Sequence, residues 1–204
     1  MNYVLIGFPK SATKTIDRAF RSISYNGFHQ NWVDGQGHRK NVAVWMYRGY
    51  NERNNPFEYF KPVAPYAITE CDMTHFGNNI VLWPQLDYDL LEVGLERNTD
   101  VSYILNYREP YSLLDSFTRW KDGDFRDRVT RADLPGLPSG VGSDDGDLID
   151  WFTRHFEVCR NRFNKYTHRF IEVNIESAEC REQLEQFVGT EFQWWGKENV
   201  NDQV

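Results

Sequence analysis

The side chains best suited to chemistry in this sequence form one short run, Pro9-Lys10-Ser11-Ala12-Thr13-Lys14-Thr15, directly after the apolar segment Tyr3-Val4-Leu5-Ile6-Gly7-Phe8. Two ammonium groups and three hydroxyls fall within residues 10 to 15. Charge-assisted hydrogen bonds of that kind are what an anion requires. Ile16, Ala19, Phe20 and Ile23 follow at the i, i+3, i+4, i+7 spacing of a helix with one apolar side. A strand, a tight turn and a helix that starts at once aim backbone N–H groups and the helix's positive end at one point, so the stretch reads as a phosphate cradle. An ordinary βα turn with surface lysines and threonines has the same local pattern. A Walker A loop does not fit, because Ala12 stands where its second glycine belongs and Thr13 where its lysine belongs.

Two further groups carry chemistry. Val101 to Tyr107 reads as a strand ending in Arg108-Glu109-Pro110, with Pro110 suited to the first position of a helix that turns Leu113, Leu114, Phe117 and Trp120 inward. Ser116 lies eight residues after Arg108, and Ser112 one turn nearer. A guanidinium fork with a hydroxyl suits a phosphate dianion, although a carbonyl-capping arginine and a helix-surface serine share the pattern. Pro65 to Asp72 reads as a strand running into acidic residues, and ligands of open α/β sheets sit at such strand ends. Asp72, then Glu70, then His75 are therefore the candidate general bases.

Pro9 to Thr15 resembles the Pro-Lys-Ser/Thr-Gly-Thr-Thr/Ser loop of the sulfotransferases that use 3'-phosphoadenosine-5'-phosphosulfate (PAPS). Ile104-Leu105-Asn106-Tyr107-Arg108-Glu109-Pro110, with Ser116-Phe117 beyond it, is similar to that family's second signature, a strand ending in Arg-Asp/Asn-Pro with a serine eight residues after the arginine. Ala12 for glycine and Lys14 for threonine or serine depart from the pattern. Ile175-Glu176 stands where the family's closing strand carries Tyr-Glu. The resemblance implies sulfuryl transfer from PAPS to an acceptor hydroxyl or amine on a small molecule or glycan. It implies that Lys10 is catalytic at the oxygen bridging sulfate and 5'-phosphate. Ser11, Ala12, Thr13, Lys14 and Thr15 would hold the 5'-phosphate, and Arg108 and Ser116 the 3'-phosphate, with no metal. Two other readings stay open. One is a P-loop kinase using Lys14-Thr15 as a displaced Walker A with Asp72 on Mg2+; the other is a non-catalytic nucleotide-binding protein.

The elements that must position these groups follow from periodicity. The expected fold is a single α/β domain over residues 1 to 204, with a mostly parallel sheet of four or five strands and helices on both faces, similar to the P-loop nucleoside triphosphatases. A second strand is expected over Gly27 to Val33, a turn at 34 to 37, and an undecided strand or helix from Asn41. A short helix is expected over Phe57 to Phe60, stopped by Pro62, and another over Pro84 to Leu95. A long amphipathic helix from Asp147 takes His155 as a packed residue, and a last strand from Arg169 to Ile175 precedes a helix from Glu176 closed by Gly189. Residues 121 to 147 are expected to be a lid or flexible loop that brings Arg126, Arg128 or Arg131 near the anion.

Composition narrows the partners. A net charge of -7 disfavours nucleic acid or an anionic membrane, both of which require a broad basic face. The chain starts next to its first strand and has no apolar run near the ~18 residues that span a bilayer, so a cytoplasmic setting is expected. Three separated cysteines and five scattered histidines suggest neither a disulfide framework nor a structural metal. The acceptor and the oligomeric state are not encoded in any motif.

Overall fold

The computed structural model describes residues 1–34, 36–78 and 80–197. Its main sheet runs β4-β3-β2-β5-β1-β8-β9, where β1 is Asn2–Leu5, β2 Asn26–His29, β3 Asn31–Val33, β4 Arg39–Asn41, β5 Tyr66–Glu70, β8 Val101–Tyr107 and β9 Phe170–Asn174. β2, β5, β1, β8 and β9 are parallel, and β3 and β4 extend the edge antiparallel. This is the expected α/β architecture with a five-stranded parallel centre. β6 (Met73–His75) and β7 (Ile80–Leu82) form a separate hairpin.

The apolar alternation of β1 explains why both faces are covered. Val4 and Ile6 point into a cluster with Tyr66, Ile68, Tyr103 and Leu105, roofed by α2 (Val42–Arg53), α3 (Tyr88–Arg97), α4 (Pro110–Arg119), α5 (Asp124–Arg131) and α6 (Asp145–Phe163). Tyr3 and Leu5 point the other way, against Ile16, Ala19 and Phe20 of α1 (Thr13–Ser22) and Leu184 of α7 (Cys180–Val188). A strand buried on both sides must be apolar throughout, and every residue of β1 except Asn2 is. Asn2 ends the strand by donating to Asp100 at 2.8 Å and accepting from the Tyr66 N–H at 3.0 Å.

Several expectations are corrected. Gly27 to Val33 is two strands, because Gln30 adopts φ 60 and reverses the chain between β2 and β3. The undecided stretch is helix α2, started by the Asn41 side chain accepting from the Val44 N–H at 3.2 Å. The short helix after Pro56 is a 3₁₀ turn over Glu58–Val63 that contains Pro62. Pro84–Leu86 is likewise a 3₁₀ turn, and α3 starts afresh when Asp87 caps the Leu90 N–H at 3.0 Å. Of the expected turn at 34 to 37, Gly35 lies outside the described residues. Residues 121 to 147 are not irregular throughout. They contain α5, whose Phe125 and Val129 are buried one turn apart, and a tight turn in which Leu134 and Leu137 exchange backbone bonds of 3.0 and 2.9 Å.

α6 buries His155 beneath the end of β1. Its Nε2–H donates to the Ile6 carbonyl at 2.7 Å, and its Nδ1 accepts from the Tyr88 hydroxyl at 3.0 Å, which fixes a neutral imidazole. Burial lowers its pKa from 6.5 to about 4. With the folded pKa below the unfolded one, the unfolded chain binds the extra proton. The stabilisation is therefore complete above the unfolded value and is lost as pH falls toward about 4, a change of roughly 3 kcal/mol. Urea midpoints should drop between pH 7 and 5, and His155→Gln should flatten that decline whatever its stability at pH 7. Equal slopes in variant and wild type would show that His155 does not carry the effect.

Candidate active site

The sheet switches direction at β1: the chain builds β2 and β5 on one side of it and β8 and β9 on the other. Ligands of open α/β sheets sit at this point. The loop from Gly7 to Ala12 fills it. Gly7 is required because a Cβ there would lie 2.6 Å from both the backbone and the side-chain oxygen of Asn106. Asn106, fully buried on β8, accepts from the Gly7 N–H at 2.9 Å and donates to the Ser11 carbonyl at 2.9 Å, so one amide pins both ends of the loop. Phe8 between them packs on Trp151, Phe152 and His155 with ring centroids 4.6, 5.0 and 4.7 Å away.

Lys10 and Ala12 both take left-handed backbone conformations, with φ 68 and 58. Each costs an L-residue roughly 1–2 kcal/mol. Such strain is kept where the surroundings over-determine it, commonly at ligand sites. Ala12 is the N-cap of α1 and offers no side-chain acceptor, so the positive end of the helix is left uncapped by it. Ser11 Oγ is fully buried with no hydrogen-bond partner among the described residues. An unmade bond of this kind costs on the order of 1–3 kcal/mol, and an anion seated in the loop would supply the partner. Lys14 is exposed on the first turn, while Thr13 and Thr15 are buried.

The second half of the site meets the first directly. Arg108, at the end of β8, donates from Nη1 to the Lys10 carbonyl at 2.8 Å and from Nε to Glu176 at 3.1 Å. Residues 98 apart in sequence are thereby joined at one loop. Ser116 is buried on the second turn of α4, and Glu109 caps that helix by accepting from the Ser112 N–H at 2.9 Å.

The acidic strand end also reaches the loop. Glu70 accepts from the Thr13 hydroxyl at 2.8 Å and faces His29 Nε2 at 3.6 Å. The Thr13 hydroxyl therefore donates to Glu70, which leaves its backbone N–H rather than its side chain to a phosphate. Asp72 is buried, with Oδ1 unpartnered among the described residues and Oδ2 only 3.5 Å from Gln30 Nε2. Burial first, then the Glu70 charge, push its carboxyl pKa well up. His75 is exposed at the end of β6 and stands apart from these contacts.

Lys10 Nζ lies 4.0 Å from the Trp120 ring centroid and 5.8 Å from that of Phe125. Partial burial lowers its pKa from 10.5 to about 8, with Glu70 and Asp72 opposing the shift and Lys14 and Arg128 adding to it. Trp120 thus belongs to the site rather than only to the core. Of the three arginines of α5, Arg126 is tied to Asp145 at 2.7 Å and to the Ser143 carbonyl at 2.8 Å, and Arg131 stacks on Phe76 at 4.6 Å. Arg128 is the one whose charge reaches Lys10 and Asp72.

The structure brings Lys10, Ser11, Ala12, Thr13, Arg108, Glu70 and Asp72 to one end of the sheet. Sequence reasoning missed Asn106, His29, Gln30 and Trp120. Only Asn106 had a visible signal, an amide inside an otherwise apolar strand.

No protein-family model matches this chain, and no curated protein matches it. Among solved structures, the sulfotransferase domain of the Synechococcus PCC 7002 olefin synthase is similar at 12% identity and a TM-score of 0.48, covering 99% of this chain and 79% of that one. No described helix is long and apolar enough to cross a membrane.

Ala12 in a left-handed conformation gives a direct test of the loop. Ala12→Gly relieves roughly 1–2 kcal/mol of backbone strain and adds roughly 0.4–1 kcal/mol of unfolded-state entropy, so a net gain of about 0.5–1 kcal/mol is expected in urea unfolding. A loss of stability would contradict the left-handed geometry.

Proposed function

We propose that this chain is a sulfotransferase that moves the sulfuryl group of PAPS to an acceptor hydroxyl or amine. One observation supports the reading: Arg108 Nη1 donates to the Lys10 carbonyl at 2.8 Å, so two motifs about a hundred residues apart adjoin at one loop. The unpartnered Ser11 Oγ and the uncapped start of α1 support a phosphate in the loop. The exposed position of Lys14 supports Lys10 rather than Lys14 as the cation of the cradle.

PAPS, when bound, supplies an activated S–O bond joined to its 5'-phosphate. The chain's own groups then have separate tasks. The amides of the Ser11 to Thr15 turn hold the 5'-phosphate, and Arg108 with Ser116 holds the 3'-phosphate. Lys10 takes up charge on the bridging oxygen as the bond to sulfur breaks. Asp72, raised in pKa, takes the acceptor proton, and Glu70 orients the loop through Thr13. By analogy with phosphoryl transfer the transition state is loose, so alignment and charge stabilisation do most of the work.

Titration calorimetry with adenosine 3',5'-bisphosphate in the presence of EDTA should show micromolar binding. Arg108→Ala should weaken it at least tenfold, while Lys10→Ala should spare binding and remove most turnover. A clear preference for Mg-ATP would overturn the assignment in favour of a kinase. Binding of the bisphosphate with no donor cleavage under any condition would leave a nucleotide-binding protein without catalysis.

The lowered Lys10 pKa predicts a pH limb as well. For a lysine the charged form is lost as pH rises, so kcat/KM for donor cleavage should fall above about pH 8, and Lys10→Arg should move that limb upward by more than one pH unit. An unchanged limb would assign it to another group.

A further inference from the structure

Lys10 is not the only cation held at the mouth of the loop. Arg128 Cζ lies 5.1 Å from the Trp120 centroid and 5.5 Å from the Phe125 centroid, the same two rings that carry the Lys10 ammonium. Lys121 Nζ also lies 4.5 Å from the Trp120 centroid. Like charges gathered on one aromatic pair repel each other, and in a chain of net charge -7 there is no shortage of other places for a cation. Such a pairing points to a negative group that belongs between them.

The guanidinium is only partly engaged. Nη2 pairs with Asp124 at 3.0 Å, one turn back on α5, whereas Nε is buried and has no hydrogen-bond partner among the described residues. Its charge acts on both Lys10 and Asp72. Arg128 therefore lies within electrostatic reach of both the group assigned to the leaving oxygen and the group assigned to the acceptor proton. A sulfuryl group leaving the oxygen beside Lys10 would lie next to the ring pair that both cations share.

The turn before α5 is built to hold this arrangement. Lys121, Asp122 and Gly123 have φ 47, 54 and 91, three consecutive left-handed residues, of which only glycine adopts that region without cost. The reversal swings α5 back over α4, where Phe125 packs on Phe117 with centroids 4.7 Å apart and on Trp120 at 5.8 Å. The strain is thus spent on bringing Trp120, Phe125 and Arg128 together over Lys10.

Building on the sulfotransferase reading, we propose that Arg128 is a further catalytic residue, whose unpartnered Nε–H and guanidinium fork take the non-bridging oxygens of the transferring sulfuryl group while Lys10 takes the bridging one. In the step, a bond forms between the acceptor oxygen or nitrogen and sulfur. The sulfur–oxygen bond to the 5'-phosphate breaks, and its electron pair stays on the phosphate oxygen beside Lys10. The acceptor proton passes to Asp72. Arg128 exchanges no proton, since an arginine stays charged at any working pH; it stabilises charge spread over the equatorial oxygens.

The test uses the full chain and water as acceptor, reading inorganic sulfate released from PAPS beside calorimetric binding of adenosine 3',5'-bisphosphate. Arg128→Ala should lower the cleavage rate about 100-fold, the scale for removing one oxyanion donor, while the bisphosphate affinity stays within about threefold. Millimolar guanidinium chloride should restore part of the Arg128→Ala rate and leave the wild type unchanged. Arg128→Lys, which keeps the charge and stem, guards against a folding defect and should fall between the two, because an ammonium cannot form the fork. Wild-type cleavage by Arg128→Ala, or a loss matched by lost bisphosphate binding and not rescued by guanidinium, overturns the role of Arg128 alone. A wild-type chain that neither binds the bisphosphate nor cleaves the donor overturns the sulfotransferase reading and this assignment with it.

Discussion

The two hydrogen bonds of the Asn106 side chain are the constraint on which the site depends. A loop that leaves a buried strand has backbone groups that must be satisfied without water, and here one amide satisfies a donor at Gly7 and an acceptor at Ser11. Because Asn106 sits on β8, the strand that also ends in Arg108, the same element fixes the loop and delivers the second cation. The close approach that makes this possible excludes a Cβ at Gly7. It also holds Lys10 and Ala12 in conformations they would otherwise avoid.

Charge balance around the loop follows from that placement. Lys10, Arg108 and Arg128 converge on a region whose carboxylates, Glu70, Asp72 and Glu176, are near but do not cancel them one for one. Arg108 shares itself between Glu176 and a carbonyl, and Glu70 is directed at Thr13 and His29. Burial works against charge on both signs, lowering Lys10 and raising Asp72. A site so arranged gathers three cations at one loop inside an acidic chain, a local concentration of positive charge rather than a broad basic surface.

Much of this was legible in the residues. β8 has the expected bounds, Val101 to Tyr107, and α4 opens at Pro110 as its fixed φ favours, because long apolar periodicity and proline chemistry are local signals. The turn from β1 into α1 was legible for the same reason. Gln30 was not, since a single non-glycine residue at positive φ splits a strand without any compositional mark. α5 was hidden by its alternating charges: only Phe125 and Val129 face inward, too few to stand out from Lys121 to Arg131. Asp72 is a candidate by its position at a strand end, whereas its burial and the Glu70 charge beside it are tertiary facts.

Arg108 is held from two sides by contacts of different kinds. The ion pair to Glu176 is partly exposed and therefore of modest strength, whereas the Lys10 carbonyl accepts from a different nitrogen. The loop contact thus fixes where the guanidinium points independently of the carboxylate that compensates its charge. The Lys10 ammonium rests on the Trp120 face, an aromatic partner in place of a carboxylate, so neither cation of the loop is locked into a close buried ion pair.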